Sequence, residues 1–338
     1  MKKLSLFPFL LSIIIIGVAM LSACKTTKKS QDETSAVVKV QFSADSAYVF
    51  CQQQCDFGPR VMNSDAHELC AQWIEEKFTQ YGYQVALQKT DLKGYDGTLL
   101  KSTNIIVQST VDGETANHSR LLICAHWDSR PWADNDPDSA NWHKPVMAAN
   151  DGASGIAVML ELARLLQQYQ DSIKVAVDFL CFDAEDWGVP QWSSQSGADS
   201  WALGSQYWAE HPAPLNPQNY RYAILLDMVG GQGAKFYQEG FSLQHAHSVV
   251  DKVWQAAVAA GYGSFFPTEP GGYVTDDHVP VNEETHIPCI DIINHYPDCP
   301  QSSFGPTWHT IHDDMEHIDR NTLQAVGQTL VQLLFNEQ

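Results

Sequence analysis

Basic residues are in short supply: 20 Lys and Arg stand against 40 Asp and Glu in 338 residues, a formal net charge of −20 at pH 7. So acidic a surface repels nucleic acid and anionic lipid head groups, which sets nucleic-acid partners aside. Internal repeats are absent, and so are low-complexity tracts beyond one polar spacer, which removes solenoids and fibrous chains. An apolar run of spanning length is missing too. The stretch Leu4 to Leu21 is uninterrupted only over a length too short for a membrane helix.

That same stretch follows the basic start Met1-Lys2-Lys3 and closes on Leu21-Ser22-Ala23-Cys24, the layout of a secretory signal with a small-residue cleavage site. It resembles the bacterial lipobox, which implies cutting before Cys24 and lipid on the new N-terminal cysteine. The expected location is therefore the bacterial cell envelope, as an exported lipoprotein on the periplasmic side or outer membrane. Residues 24–41 are polar without an apolar period and read as a lipid-anchored spacer. Loss of residues 1–23 removes two lysines and no acid, leaving 18 basic and 40 acidic residues.

Of the eight cysteines Cys24 belongs to the cleavage pattern, and how the others pair cannot be read from the sequence. Seven remain after Cys24, an odd number, so at least one thiol stays free. Cys124 and Cys181 sit in apolar runs and read as small buried hydrophobes; Cys51 and Cys55, four apart on a helix, read as core packing with Cys70, with a metal or redox pair as the alternative.

With 44% hydrophobic residues, the chain from 42 to 338 can bury one large core, a single domain. Helical periodicity appears in Ser43–Phe57, after Asn63, and in Gly155–Gln168, Ser200–Glu210, Ser242–Ala260 and Arg320–Phe335. Strand-like runs lie at Tyr83–Gln88, Ser102–Gln108, Leu121–His126, Ile173–Phe182, Tyr222–Met228 and Cys289–Asn294. Alternation of this kind predicts an α/β three-layer sandwich: a mixed, mostly parallel central sheet with helices on both faces. Ligands of such sheets bind beyond the carboxyl ends of the strands.

Metal-capable side chains gather at those ends: His126 with Asp128, Asp151, the Glu185-Asp186 pair, Asp227, and His309. Singly each has an ordinary explanation, as a cap, a turn former or a core histidine. Five junctions on one sheet edge are hard to reconcile with separate accidents. Three carboxylates within Asp183–Asp186 repel one another unless a cation or a proton-transfer task requires them. Mixed carboxylate and imidazole ligands suit Zn²⁺ with one coordination position left open.

In order and spacing, Ala125-His-Trp-Asp-Ser129, Ala149-Asn-Asp-Gly-Ala153, Phe182-Asp-Ala-Glu-Asp186, Leu226-Asp-Met228 and Trp308-His-Thr310 resemble the M28-type zinc aminopeptidases. Gly271-Gly-Tyr-Val-Thr-Asp-Asp-His-Val-Pro280 and Phe304-Gly-Pro-Thr-Trp-His-Thr310 narrow the resemblance to glutaminyl-peptide cyclotransferases of the animal type and their bacterial relatives. The resemblance implies a single zinc held by Asp151, Asp186 and His309. It implies Glu185 as acid/base with Asp227 and Asp276 hydrogen-bonded around it. A small apolar pocket would be walled by Trp308, Phe304 and Trp192, with Trp187 as the alternative to Trp192. Asp186 stands where the animal enzymes have a longer Glu, and the disulfide of those enzymes has no counterpart here.

The implied reaction converts N-terminal glutamine, and slowly glutamate, of peptides and proteins to pyroglutamate with release of ammonia, carried out by a monomer. The competing expectation is a two-zinc aminopeptidase, with His126, Asp151 and Asp227 around one ion and Asp151, Asp186 and His309 around the other. A non-catalytic binding ectodomain has no need of such a charge cluster.

Overall fold

A computed structural model describes residues 38–110, 120–195, 197 and 199–337. The signal segment, Cys24 and most of the spacer lie outside the described residues. Six strands form one sheet: β1 (Gln84–Lys93), β2 (Leu99–Gln108), β3 (Arg120–His126), β4 (Ala176–Phe182), β5 (Tyr220–Asp227) and β6 (Cys289–Ile293), in the order β1-β2-β4-β3-β5-β6. Pairings β4–β3, β3–β5 and β5–β6 are parallel, whereas β1–β2 and β2–β4 are antiparallel. The sheet is therefore mixed, as expected, with its parallel half carrying the junctions of interest.

Seven helices among the described residues cover it: α1 (Ala44–Cys55), α2 (Asp65–Gln80), α3 (Ala153–Gln168), α4 (Leu203–Glu210), α5 (Gly240–Ala259), α6 (His278–Thr285) and α7 (Arg320–Asn336). A large apolar cluster joins Phe50, Ile74, Leu160, Val250 and Leu330 to Leu121, Ile123, Ile224 and Ile290, so α1, α2, α3, α5 and α7 share one face. Trp208 of α4 and Val281 of α6 pack with Leu122, Leu180 and Leu225 on the other. Burial on both faces explains why β3, β4 and β5 read as nearly continuous apolar runs.

Asp178 interrupts β4 yet is fully buried, because its carboxylate accepts from the Arg120 guanidinium, the Ser109 N–H at 2.8 Å and the Tyr220 hydroxyl. β1 runs beyond the expected Gln88 to Lys93, where exposed polar residues at the sheet edge carry no apolar signal. α6 was not expected from periodicity, since its eight residues hold Pro280 and a polar second half. The six described cysteines of the strands and helices are buried free thiols, and Cys299, half-buried in a loop, is free as well.

Two glycines bring α3 against the parallel strands. Gly152, at φ +102°, precedes the helix where a Cβ would fall 2.7 Å from the Asp128 carbonyl; at Gly155 it would fall 2.3 Å from the Leu226 carbonyl. The close approach holds Asp151 above the ends of β3 and β5.

Candidate active site

Three parallel strands end in chemistry-bearing groups. His126 closes β3, Asp183, Glu185 and Asp186 follow β4, and Asp227 closes β5. The turns that aim them are unusual: Ala184, Met228 and His309 adopt left-handed backbone at φ +53°, +49° and +53°. Such backbone in non-glycine residues costs free energy and persists where surrounding structure over-determines it.

Supporting carboxylates fix each group. Asp128 accepts the N–H groups of Glu185 and Asp186, both at 3.1 Å, and so shapes the turn after β4. Asp313 accepts from Asn150 and Asp151 at 2.8 and 3.0 Å. Asp134 lies 3.4 Å from His309 Nδ1, and Arg130 donates to both its oxygens at 3.0 and 2.7 Å. Contact of that ring nitrogen with a carboxylate leaves Nε2 free to face the cavity.

Asp151 lies between two groups of potential ligands. His309 Nε2 lies 3.6 Å from Asp151 Oδ2 and 3.3 Å from Asp186 Oδ1. On the other side, His126 Nε2 lies 3.0 Å from Asp151 Oδ1 and 3.1 Å from Asp227 Oδ1. Donors about 2.1 Å from a tetrahedral Zn²⁺ stand about 3.4 Å apart along each edge. The His309 group matches those edges, whereas the His126 contacts are direct hydrogen-bond lengths. Asp186 Oδ2 is buried without a hydrogen-bond partner, a costly state that a cation relieves. Asp151, Asp186 and His309 thus fit a zinc ion.

The cavity above them has a volume of about 370 Å³ and is lined by Asp151, Glu185, Asp227, Asp276, His309, Phe304, Trp308 and Trp201, among others. Trp308 stacks on His309 with ring centroids 3.7 Å apart, and Phe304 lies 4.9 Å from Trp308. Trp201 lies parallel to His309 at 5.9 Å. Trp192 is not among the lining residues: it is 37% exposed and packs with Trp132, Trp142 and His143. Trp187 is also outside, against Trp132. The expected third wall is supplied by Trp201, where the chain after Trp187 returns to the site just before α4.

A second expectation changes as well. Neither Asp227 nor Asp276 is hydrogen-bonded to Glu185 among the described contacts. Asp227 receives His126 Nε2, and Asp276 receives the N–H of Asp277. Of the two, Asp276 acts on Glu185 through space. Burial, reinforced by the charges of Asp186, Asp276 and Asp277 and opposed by His126, holds the Glu185 carboxyl well above the usual range. Burial likewise raises Asp227 to about 7, although His126 pulls the other way. Asp151 is opposite: burial would raise it, but the hydrogen bond and charge of His126 and the charge of His309 bring it below the ordinary value.

Comparison with known proteins agrees with this geometry. The model of peptidase family M28 matches residues 104–334. A crystal structure of Bacteroides thetaiotaomicron glutaminyl cyclase bound to N-acetylhistamine is 47% identical, with a TM-score of 0.83 over 88% of this chain and 99% of that one. A leucine aminopeptidase precursor from Bacteroides thetaiotaomicron is 46% identical, with a TM-score of 0.83 over 90% and 100% of the two chains. Glutaminyl-peptide cyclotransferase of Bos taurus is 25% identical over 257 residues, 68% of this chain and 64% of that protein. The chain spans between 40% and 64% of the length of the curated relatives it matches. With 231 matched residues, more than half of its length, the chain belongs to peptidase family M28.

Proposed function

We propose that the protein is a zinc-dependent glutaminyl-peptide cyclotransferase that closes N-terminal glutamine of peptides to pyroglutamate. The observation that carries this reading is the contrast around Asp151. One ligand group is spaced for an ion and opens on an aromatic cavity; the other is closed by hydrogen bonds of its own. The family's glutaminyl cyclase structures support it from outside.

The chemistry asks little of the nucleophile, since the α-amine is tethered to the amide it attacks. The cavity must hold the bent conformer, and Trp308, Phe304 and Trp201 offer three rings at the right scale to do so while excluding water. Zinc held by Asp151, Asp186 and His309 supplies, when bound, a Lewis acid for the side-chain carbonyl. As the amine nitrogen bonds to the side-chain carbonyl carbon, Glu185 takes a proton from that nitrogen. The same proton passes to the departing amide nitrogen as the old C–N bond breaks, so ammonia leaves and Glu185 ends as it began. A carboxyl raised by burial and by neighbouring acids suits a group that must both accept and return a proton near neutrality.

The same contrast supports a reading of one ion per chain. The basic start, the apolar run and Leu21-Ser-Ala-Cys24 support export and lipid anchoring through Cys24, ahead of a spacer and a catalytic domain from residue 42. The aminopeptidase reading keeps two observations in its favour: His126, Asp151 and Asp227 also form a metal-capable group, and the leucine aminopeptidase precursor from Bacteroides thetaiotaomicron is 46% identical. Incubation of the purified domain with Gln-peptides and Leu-peptides, followed by mass, separates the two. Loss of ammonia from Gln-peptides alone is expected; release of free leucine would overturn the cyclase.

A further inference from the structure

Outside the cavity, the β1–β2 turn, the loop after Arg130 and the loop after β4 bring Tyr95, Trp132, Trp142, His143, Trp187 and Trp192 together. Trp132 is the hub, with ring centroids 5.6 Å from Tyr95, 5.2 Å from Trp187 and 6.1 Å from Trp192. Trp142 lies nearly parallel to Trp192 at 6.1 Å and 14°, and His143 meets Trp192 at 4.6 Å. Trp192 is 37% exposed and His143 is exposed. An exposed indole backed by three half-buried ones is an unusual concentration of aromatic surface, of the kind found where something docks.

The group is continuous with the catalytic cavity. The Arg130 guanidinium lies 4.5 Å from the ring of Trp201, a cavity wall, and 5.2 Å from that of Trp132. The Trp192 loop is tied to the same place. Gln191 donates from its backbone to Asp134 at 2.9 Å and from its side chain to Asn135 at 3.1 Å, while Asn135 donates to the Trp308 carbonyl at 3.2 Å. The Trp142 indole N–H is fixed on the Asp136 carbonyl at 2.8 Å, which orients the ring. A peptide whose first residue fills the cavity must continue over the surface around it, and this aromatic group is tied to the cavity walls Trp201 and Trp308 through Arg130 and Asn135.

We infer that the Trp132–Trp142–Trp192 surface is a subsite for the residues that follow the N-terminal one, giving the enzyme a preference for peptides with an aromatic side chain at the second or third position. The inference rests on the preceding reading only in that the cavity takes a peptide N-terminus. Aromatic side chains meet indoles edge-on or offset with gains that correspond to roughly two- to tenfold in affinity per pair.

The test compares Gln-Ala-Ala-amide with Gln-Phe-Ala-amide and Gln-Ala-Phe-amide. Wild type should turn over one of the aromatic peptides with kcat/KM about fivefold or more above the alanine peptide, within the range of one or two such pairs. Trp142→Ala should erase the difference and leave Gln-Ala-Ala-amide within about twofold of wild type, as expected of a side chain outside the reacting site. Trp142→Leu, which keeps apolar bulk, guards against a folding defect and should lose the preference in the same way. Calorimetric titration of Glu185→Gln with the same peptides reads the subsite without turnover. Tighter binding of an aromatic peptide there, together with release of free amino acid by wild type, would keep the subsite and refute the cyclase. Equal affinities would overturn the subsite whatever the reaction. Aromatic preference that survives in both Trp142 variants would overturn it too, as would a dimer of wild type that Trp142→Ala dissolves, which would make the surface a self-association face.

Discussion

Two ligand groups share Asp151, and they are chemically almost the same: each has one histidine and one further aspartate. They differ in spacing and in what remains unsatisfied. Around His126 the contacts are 3.0 and 3.1 Å, and one imidazole nitrogen serves two carboxylates. Around His309 the corresponding separations are 3.6 and 3.3 Å, with Asp186 Oδ2 buried and unpartnered. Residue types therefore identify a metal-capable place, while geometry separates two groups of the same composition. The charges differ too: Asp128, Asp151 and Asp227 outweigh the burial of His126 and raise it well above the ordinary imidazole value.

The comparison breaks most visibly by removing one histidine from each group. His309→Ala should lose both bound zinc and cyclisation, by about a thousandfold or more in kcat/KM, because the ion is integral to the reaction. His126→Ala should keep zinc near one equivalent while activity falls far less. Elemental analysis and an ammonia-release assay on both variants read this, and equal metal loss in the two would end the asymmetry between the groups. Next in size is Glu185→Gln, which should cut kcat by about 10²- to 10⁴-fold, the range of a lost acid/base, with zinc retained. Full activity in that variant would strip Glu185 of its role.

A smaller effect is expected behind His309. Asp134→Asn removes the charge that faces Nδ1, and a change of this kind costs about 10- to 100-fold in metal affinity. Competition with a chelator measures it; unchanged affinity would mean Arg130 alone positions the site. The least effect on catalysis should come from Glu239, which serves neither group. It caps α5, accepts Val274 N–H at 3.0 Å beneath the cavity loop, and lies 3.0 Å from His278 Nε2. Burial raises its carboxyl, but the hydrogen bond and charge of His278 and the N–H groups of Ser242 and Phe241 outweigh it and bring the pKa to about 2. Because the folded value lies below the unfolded one near 4.5, the stabilisation is complete above that value and disappears as pH falls through about 2. Up to about 3 kcal/mol is at stake, so Glu239→Gln should lower stability at pH 7 and flatten the acid limb of a denaturation series. An unaltered acid limb would show that the cap does not titrate as described.

Much of this was legible in the chain because acids and histidines at strand ends interrupt apolar runs, and a parallel sheet gathers such ends on one edge. Asp151, Asp186, His309, Glu185 and Asp227 fall in one place for that reason, whereas Asp276, in the loop before α6, was expected from the family resemblance alone. Asp134, Asp313 and Arg130 were not legible: they act on partners far along the chain, or on backbone N–H groups that leave no trace in residue type. Trp201 escaped for a related reason. Fourteen positions separate it from Trp187, and no periodicity tells where a loop returns, so Trp192 was expected in its place. The hydrogen bonds expected between Glu185 and its acidic neighbours failed because Asp227 and Asp276 already have nearer donors in His126 and the Asp277 N–H.

Zinc content of active wild-type protein, titrated against cyclisation of a Gln-peptide, goes most directly to the centre of this account. Activity should rise linearly and saturate at one zinc per chain. A rise that continues to two equivalents would contradict it.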